Sequence, residues 1–304
     1  MTYPTIELAD DVPAQLEQLG TKTKFWYRDQ KGQKVLFKEG RPGTGENWSE
    51  KACCEIARLL GLPHAEYDLA AWRGRRGVIT PSFVPKGARL ILGNELLGKI
   101  IDDYDEGKRF RARQHTVRTV MTVVSGRLVH QPLGWDAPAE IKDAAGVMVG
   151  YLMLDALVSN QDRHHENWGM ILVPDQGVFF TPTFDHASSL GRNETDRTRT
   201  ERLTTSDSGR SVETYVGRAR SAFFATPTSP KPLKTLEAFL EAAKIRPDAA
   251  AYWLGKLGEI DVENLRAILS EIPDAEISEP AREFAVRMLE INAERILQTR
   301  SSIK

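Results

Sequence analysis

The stretch Asp155-Ala156-Leu157-Val158-Ser159-Asn160-Gln161-Asp162-Arg163-His164-His165-Glu166-Asn167-Trp168, followed later by Thr183-Phe184-Asp185-His186, sets the expectation for the whole chain. It spaces Asp162 and Asn167 five residues apart and adds a further carboxylate, Asp185, beyond an intervening hairpin-like segment. Phosphoryl transfer needs this set of groups. One carboxylate accepts the proton of an attacking hydroxyl. The asparagine oxygen and a second carboxylate can hold magnesium ions on nucleotide phosphates.

The flanking pattern brings these groups together. Ile141, Ala144, Ala145, Met148, Tyr151, Leu152, Leu154 and Ala156 recur at helical spacing and leave little polar face, which predicts a buried helix over 137–158. Residues 168–173 and 177–181 read as a hairpin turning at Pro174-Asp175-Gln176-Gly177, which carries Asp185 back beside Asp162 and Asn167. Segments 233–244, 247–257, 262–270 and 280–299 are amphipathic, helix-like and punctuated by Pro or Gly. The Pro/Ser/Thr-rich run 226–232 before them predicts a surface loop.

The first part of the chain is strand-like instead. Residues 22–28 and 34–39 form a predicted hairpin around Asp29-Gln30-Lys31-Gly32. The loop Gly40-Arg41-Pro42-Gly43-Thr44-Gly45 follows, and then a helix capped by the side chains of 47–49, running to Leu60 and closed by Gly61 with Pro63 beyond. Two more strands, 65–72 and 77–84, are joined by Arg73-Gly74-Arg75-Arg76. The fold class expected is α+β and two-lobed, like a protein kinase: a β-rich small lobe over 1–85, a hinge over 81–85 and a mainly helical large lobe over 86–304.

Whole-chain quantities permit this. At 304 residues and 41% hydrophobic content the chain can bury a substantial core. A formal charge of -1 excludes a global field toward nucleic acid or an anionic membrane. The only cysteines, Cys53 and Cys54, are adjacent on a helix, so the sequence predicts neither a disulfide framework nor a cysteine metal cluster, as in a reducing cytosol. No run approaches a membrane span and residues 1–11 are not signal-like, so a cytoplasmic protein without membrane contact is expected.

A cation for the phosphates is offered by Lys38, in the otherwise apolar strand Lys34-Val35-Leu36-Phe37-Lys38-Glu39. Kinases hold such a lysine with a glutamate on the next helix, and here Glu50 and Glu55 compete. At about 100° per residue, Glu50 lies within the stripe of Cys53, Cys54, Ala57, Leu60 and Gly61, whereas Glu55 points away from it. Glu50 is the expected partner.

Three separated segments together resemble a known family: residues 49–63, 160–168 and 184–191 are similar to the HipA-type serine/threonine kinases, and among these to the short stand-alone members of the CtkA type. The last two also resemble lipid kinases of the phosphatidylinositol type. The resemblance spans roughly residues 25–224. It implies an ATP- and Mg2+-dependent kinase with Asp162 as catalytic base, Asn167 and Asp185 on the metal, Lys38 on the phosphates and Glu50 as its partner. Gly43, Thr44 and Gly45 would then lie near the nucleotide, with Phe83 and Val84 at the hinge, and Asp155, Arg163, His165 and His186 supporting the loop. In this family a serine in the glycine loop can be autophosphorylated, and the hydroxyls here at comparable positions are Thr44 and Ser49. Full-length HipA also carries an N-terminal subdomain that contributes to antitoxin binding. This chain shows no counterpart, so a protein substrate is the expected partner and an antitoxin or regulator stays open.

Plainer readings compete with each motif. Residues 162–166 could be a solvated polar loop, and Lys38 could snorkel at a strand end. His164, His165, Glu166 and His186 could be zinc ligands, but adjacent histidines reach one ion less easily than an i, i+4 pair. The segment 191–220, with Arg192, Arg197, Arg199, Arg202, Arg210, Arg218 and Arg220, reads either as an acceptor-positioning stretch or as a partly disordered basic loop, and nucleic acid enters only indirectly through it. The transfer residues do not encode the acceptor. A small-molecule or lipid-head-group kinase, and a nucleotide-binding pseudokinase or interaction module, are the alternatives to a protein kinase.

Overall fold

The computed structural model of the chain describes residues 2–12, 15–16, 23–108 and 112–303, with 15 and 16 described as backbone alone. The start of the predicted hairpin at Lys22 lies outside the described residues.

One sheet holds six strands. In chain order these are β1 (Thr5–Leu8), β2 (Gln15–Leu16), β3 (Lys24–Arg28), β4 (Lys34–Glu39), β5 (Asp68–Trp72) and β6 (Arg75–Pro81), arranged β1-β5-β6-β4-β3-β2. All neighbours are antiparallel except β1, which runs parallel to β5. Alternation along β3 and β4 buries Phe25, Tyr27, Val35 and Phe37 on one face, where they join Ala70, Ile79 and Trp72. The odd-even pattern thereby turns Lys24, Trp26, Leu36 and Lys38 to the other face.

Helix α1 (Glu46–Leu59) crosses that second face. Its cap residue is Gly45, and no side chain caps it, so the capping role expected of residues 47–49 is not theirs. Asn47, Trp48 and Ser49 already belong to the first turn. The C-terminal end is a Schellman closure: Gly61 has φ +71 and donates to the Arg58 carbonyl, while Leu62 donates to Ala57.

After β6 the chain crosses into a second sheet through β7 (Arg89–Leu92), which pairs with β9 (Gly169–Val173), then β10 (Gly177–Phe180) and the short β8 (Val129–His130). The large lobe, expected to be mainly helical with one hairpin, carries that hairpin as β9 and β10 and extends it with β7 and β8 to four strands. Helices α2 (Gly93–Ile100) and α3 (Val117–Val124) follow β7 in a part of the chain with no elements assigned from the sequence. Helix α4 spans Ala144–Val158, shorter than predicted: Asp143 accepts from the Gly146 amide and starts the helix there, leaving Ile141 buried but outside it. Every residue of α4 is buried.

The segment 191–220, read as either an acceptor-positioning stretch or a basic loop, holds α5 (Asp196–Thr204) and α6 (Val212–Gly217). Helices α7 (Thr235–Ile245), α8 (Pro247–Gly258), α9 (Val262–Ser270) and α10 (Glu279–Leu297) close the large lobe. One hydrophobic core runs from Trp48, Cys53 and Ile56 of α1 through α4 to α7, α8 and α10. Since burying large apolar area dominates folding energetics, α1 is anchored to the helical lobe as well as to its own sheet. Among the described residues, no helix is long and apolar enough to cross a membrane.

Candidate active site

Helix α4 ends where Ser159 takes a left-handed conformation, φ 54, and the loop that follows is built by its own polar groups. The Asn160 side chain donates to Asp155 Oδ1 at 2.8 Å and accepts from the Asp162 amide at 3.0 Å. Arg163, fully buried, grips Asp155 with two bonds, Nε to Oδ2 at 2.8 Å and Nη2 to Oδ1 at 2.7 Å, and donates to the Asn167 carbonyl at 3.1 Å. A carboxylate at a helix C-terminus is opposed by the helix dipole, and here the paired guanidinium compensates it. Helix α10 adds a pin, since Asn292 Nδ2 donates to Leu157 O and to Ser159 Oγ. The loop conformation is therefore set from beneath.

Its upper side faces a cavity of about 400 Å³ lined by Lys24, Lys38, Asp162, Asp185, Ser188 and Arg192, among others. Asp162 Oδ2 accepts from Ser188 Oγ at 3.3 Å, while Oδ1 is buried with no hydrogen-bond partner among the described residues and lies 3.7 Å from His164 Nε2. Burial, and after it the nearby Asp185 charge, push the Asp162 carboxyl up to about 6. Asn167 donates through Nδ2 to the Asp162 carbonyl at 2.6 Å, which leaves its oxygen as the amide's acceptor. Asn167 is buried and does not line the cavity wall itself.

Asp185 stands in the left-handed region, φ 58, where a non-glycine residue is strained, and its amide donates to the Tyr67 hydroxyl at 3.3 Å. Lys38 Nζ makes a short ion pair to Asp185 Oδ1 and a second, at 3.5 Å, to Glu50 Oε2. Burial opposes both charges, yet the Lys38 ammonium outweighs it and holds the Asp185 carboxyl far below its usual range, while Asp185 and Glu50 raise the ammonium in turn. Glu50 also fixes the next residue, because its Oε1 accepts from the His186 amide at 2.6 Å. Glu55, the rejected partner, instead pairs with Lys51 and Arg58.

The remaining sequence candidates fall around this centre. His165 meets the Tyr104 hydroxyl at 2.6 Å and His186 Nε2 meets Thr183 Oγ1 at 2.7 Å, both buried. These histidines brace loops, and no zinc set forms from His164, His165, Glu166 and His186 among the described residues. Gly43 has φ +73, and a side chain on Gly45 would strike the Trp48 indole at 2.3 Å. Neither Gly43, Thr44 nor Gly45 lines the cavity, which their neighbours Arg41 and Glu46 do. The Ser49 hydroxyl is buried and donates to the Ser189 carbonyl at 3.1 Å, so the folded chain withholds it from modification; Thr44 is partly exposed. Phe83 and Val84 lie off the cavity lining, with the Phe83 ring 5.4 Å from that of Phe184.

Several arginines of the 191–220 segment are committed internally. Arg192 bonds Glu46 and Ser188, Arg199 bonds Asp196 and the Gly191 carbonyl, and Arg202 bonds Glu194. Sequence reasoning missed Ser188, Tyr67 and Lys24, all set by tertiary contacts. It also set aside any cysteine-based cluster, whereas Cys54, His64 and Glu66 bring their ligand atoms within 4.8 Å of one another. The cation on that trio is the Arg58 guanidinium, bonded to Glu66, and the neighbouring Cys54 and Glu66 raise His64 to about 10 against the effect of burial.

No family model matches the chain, and no curated protein matches its sequence. Among solved structures it is similar to the Helicobacter pylori proinflammatory kinase CtkA, with a TM-score of 0.74 and 19% identity over 98% of each chain. It is also similar to HipA of a Shewanella oneidensis MR-1 toxin-antitoxin system, solved in a complex with HipB and operator DNA, with a TM-score of 0.56 and 14% identity, over 96% of this chain and 68% of that one. The fold is that of the HipA-like kinases: two lobes, the smaller rich in strands and the larger in helices.

Proposed function

We propose that this chain is an ATP- and magnesium-dependent phosphotransferase that moves the terminal phosphoryl group of ATP onto a hydroxyl, with a protein serine or threonine as the acceptor. One observation carries the reading. Lys38 is ion-paired at once to Glu50 of α1 and to Asp185 beyond the second sheet, beside a carboxylate, Asp162, that keeps one buried oxygen without a hydrogen-bond partner. Kinase chemistry in CtkA, whose whole length this fold matches, supports the same assignment.

The donor set suits the ligands. Magnesium prefers hard oxygen donors; the ionised Asp185 carboxylate on the cavity wall would supply one, with the amide oxygen of buried Asn167 proposed as the second. When bound, the metal would offset the negative charge that develops on the phosphates during transfer. Lys38, held in place by Glu50, would contact the same phosphates. The Asp162 carboxylate takes the proton of the acceptor hydroxyl as that oxygen bonds to the γ-phosphorus and the bond from that phosphorus to the β,γ-bridging oxygen breaks, releasing ADP; a carboxyl raised to about 6 is a stronger base than an ordinary aspartate while still ionised at neutral pH. The Asp155–Arg163 clamp and Asn160 position it. Little covalent chemistry falls to the protein beyond this positioning and charge placement.

The test is incubation of the purified protein with labelled ATP and magnesium, followed by mass spectrometry of the protein itself and of a cell extract, with Asp162→Ala alongside. Phosphate on serine or threonine in the wild type, absent in the variant, is expected. Phosphate on an extracted metabolite would transfer the assignment to a small-molecule or lipid-head-group kinase, and nucleotide binding without transfer would mark a pseudokinase.

A further inference from the structure

We propose that Lys24 is a second phosphate-binding cation, forming with Lys38 a two-lysine cradle for the polyphosphate chain of the nucleotide. This rests on the nucleotide reading above and adds to it a site on a different strand. The β3–β4 register pairs Lys24 directly with Lys38, which places both on one face of the sheet with Cβ atoms about 4.5–5.5 Å apart. The opposite face is closed by Phe25, Tyr27, Val35 and Phe37, so the alternation of the strands leaves Lys24 no other side.

Like charges directly across a strand pair are unfavourable. Lys38 escapes that penalty because Glu50 and Asp185 neutralise it. Arg41 and Arg192, the other cations lining the cavity, both pair with Glu46. Lys24 is different: it lines the same cavity, is half-buried, and makes no ion pair or hydrogen bond among the described residues. An ammonium with no ion pair among the described residues, set opposite another lysine at the edge of this cavity, fits a ligand that brings several negative charges. A lysine acts on phosphate as a point charge, and two of them at this separation suit a chain of phosphates better than a single one.

The experiment compares calorimetric affinities for ATP and for AMP, without acceptor, in the wild type, Lys24→Ala, Lys24→Arg and Lys34→Ala. Lys34 lies on the same hairpin, with its ammonium over the Trp26 ring, and serves as the control for surface charge. Losing one charged contact to phosphate is expected to weaken ATP binding about tenfold or more in Lys24→Ala. AMP affinity should stay unchanged, Lys24→Arg should retain most of the ATP affinity, and Lys34→Ala should match the wild type. Equal losses for ATP and AMP, equal losses in Lys34→Ala, or unchanged ATP binding in Lys24→Ala would each overturn the cradle. A wild type that binds neither nucleotide defeats the nucleotide reading itself and this inference with it, whereas a wild type that binds ATP as tightly as Lys24→Ala does defeats Lys24 alone. Melting temperatures keep misfolding separate, since removing Lys24 relieves a like-charge contact and is expected to leave the fold at least as stable.

Discussion

Asp162 and Asp185 border one cavity, and their surroundings drive the two carboxyls in opposite directions: burial and the Asp185 charge raise Asp162 to about 6, while Lys38 keeps Asp185 ionised far below its usual range. Under the proposed function, two acids separated in this way would divide the work of the site, one moving a proton and the other holding permanent charge. The strained backbone at Asp185 is consistent with that division, because it is retained by bonds to Tyr67 and, through His186, to Glu50.

Asp162→Asn should abolish phosphoryl transfer while stabilising the fold. The amide keeps the shape and can still meet Ser188, but it removes a carboxylate whose ionisation the folded chain disfavours. The gain is expected on the order of 1 kcal/mol at neutral pH, read as a higher urea midpoint. A variant that is both inactive and less stable would point to a structural role for this carboxylate.

Transfer should rise with pH through about 6, because Asp162 must be ionised to accept a proton. The stability effect has the reverse sign. The native state binds the extra proton between 3.8 and about 6, so this group's contribution to stability falls as pH increases across that window. A kcat profile flat from pH 5 to 8 would count against Asp162 as the base.

His115 should oppose it in acid. Burial pushes its imidazole down to about 3, and the ring accepts at Nε2 from the Trp168 indole at 3.1 Å, which requires the neutral form. Its unfolded counterpart binds a proton below 6.5, so the stability that depends on neutral His115 is lost as pH falls from 6.5 toward 3. Replacing His115 with Gln is expected to flatten the acid limb of the stability curve, measured by chemical denaturation from pH 4 to 7.

Lys38→Met should remove activity and destabilise by about 3–5 kcal/mol, since it strands the buried Glu50 without its counter-charge. Adding Glu50→Gln should restore part of that stability without restoring transfer. Additive losses in the double variant would show that the two side chains are not coupled.

Arg163→Met should cost about 3–5 kcal/mol by leaving Asp155 charged inside the protein, and the double change with Asp155→Leu should cost less than the single one. Denaturation midpoints of the three variants give the coupling directly.

Much of the local structure was legible from residue order. Alternation in 34–39 marked a strand, Gly61 marked a helix end, and the 233–297 helices emerged close to their predicted limits because amphipathic spacing and Pro or Gly punctuation act within a few residues. The angular argument for Glu50 over Glu55 held for the same reason: helical geometry is local. Errors arose where a side chain decided the boundary. Asp143 began α4 seven residues after the first predicted position, 137, and α1 took Gly45 as its cap with no side-chain bond. The stretch 86–136 stayed unread because β7 and β8 exist only as partners of β9 and β10.

The amino-acid order by itself determined which residues carry oxygen, ammonium and apolar groups, how often they repeat, and therefore which strands and helices can form. Only tertiary structure decided that Lys38 reaches a carboxylate 147 positions away, that Glu50 binds the amide of His186 at a separation of 136, and that Lys24 faces Lys38 with no ion pair among the described residues. Periodicity tells a side chain which face of its own element it occupies. Which face meets which across the molecule follows from burying one continuous core between α1, α4 and the last helices, and that choice sets the charges of the cleft.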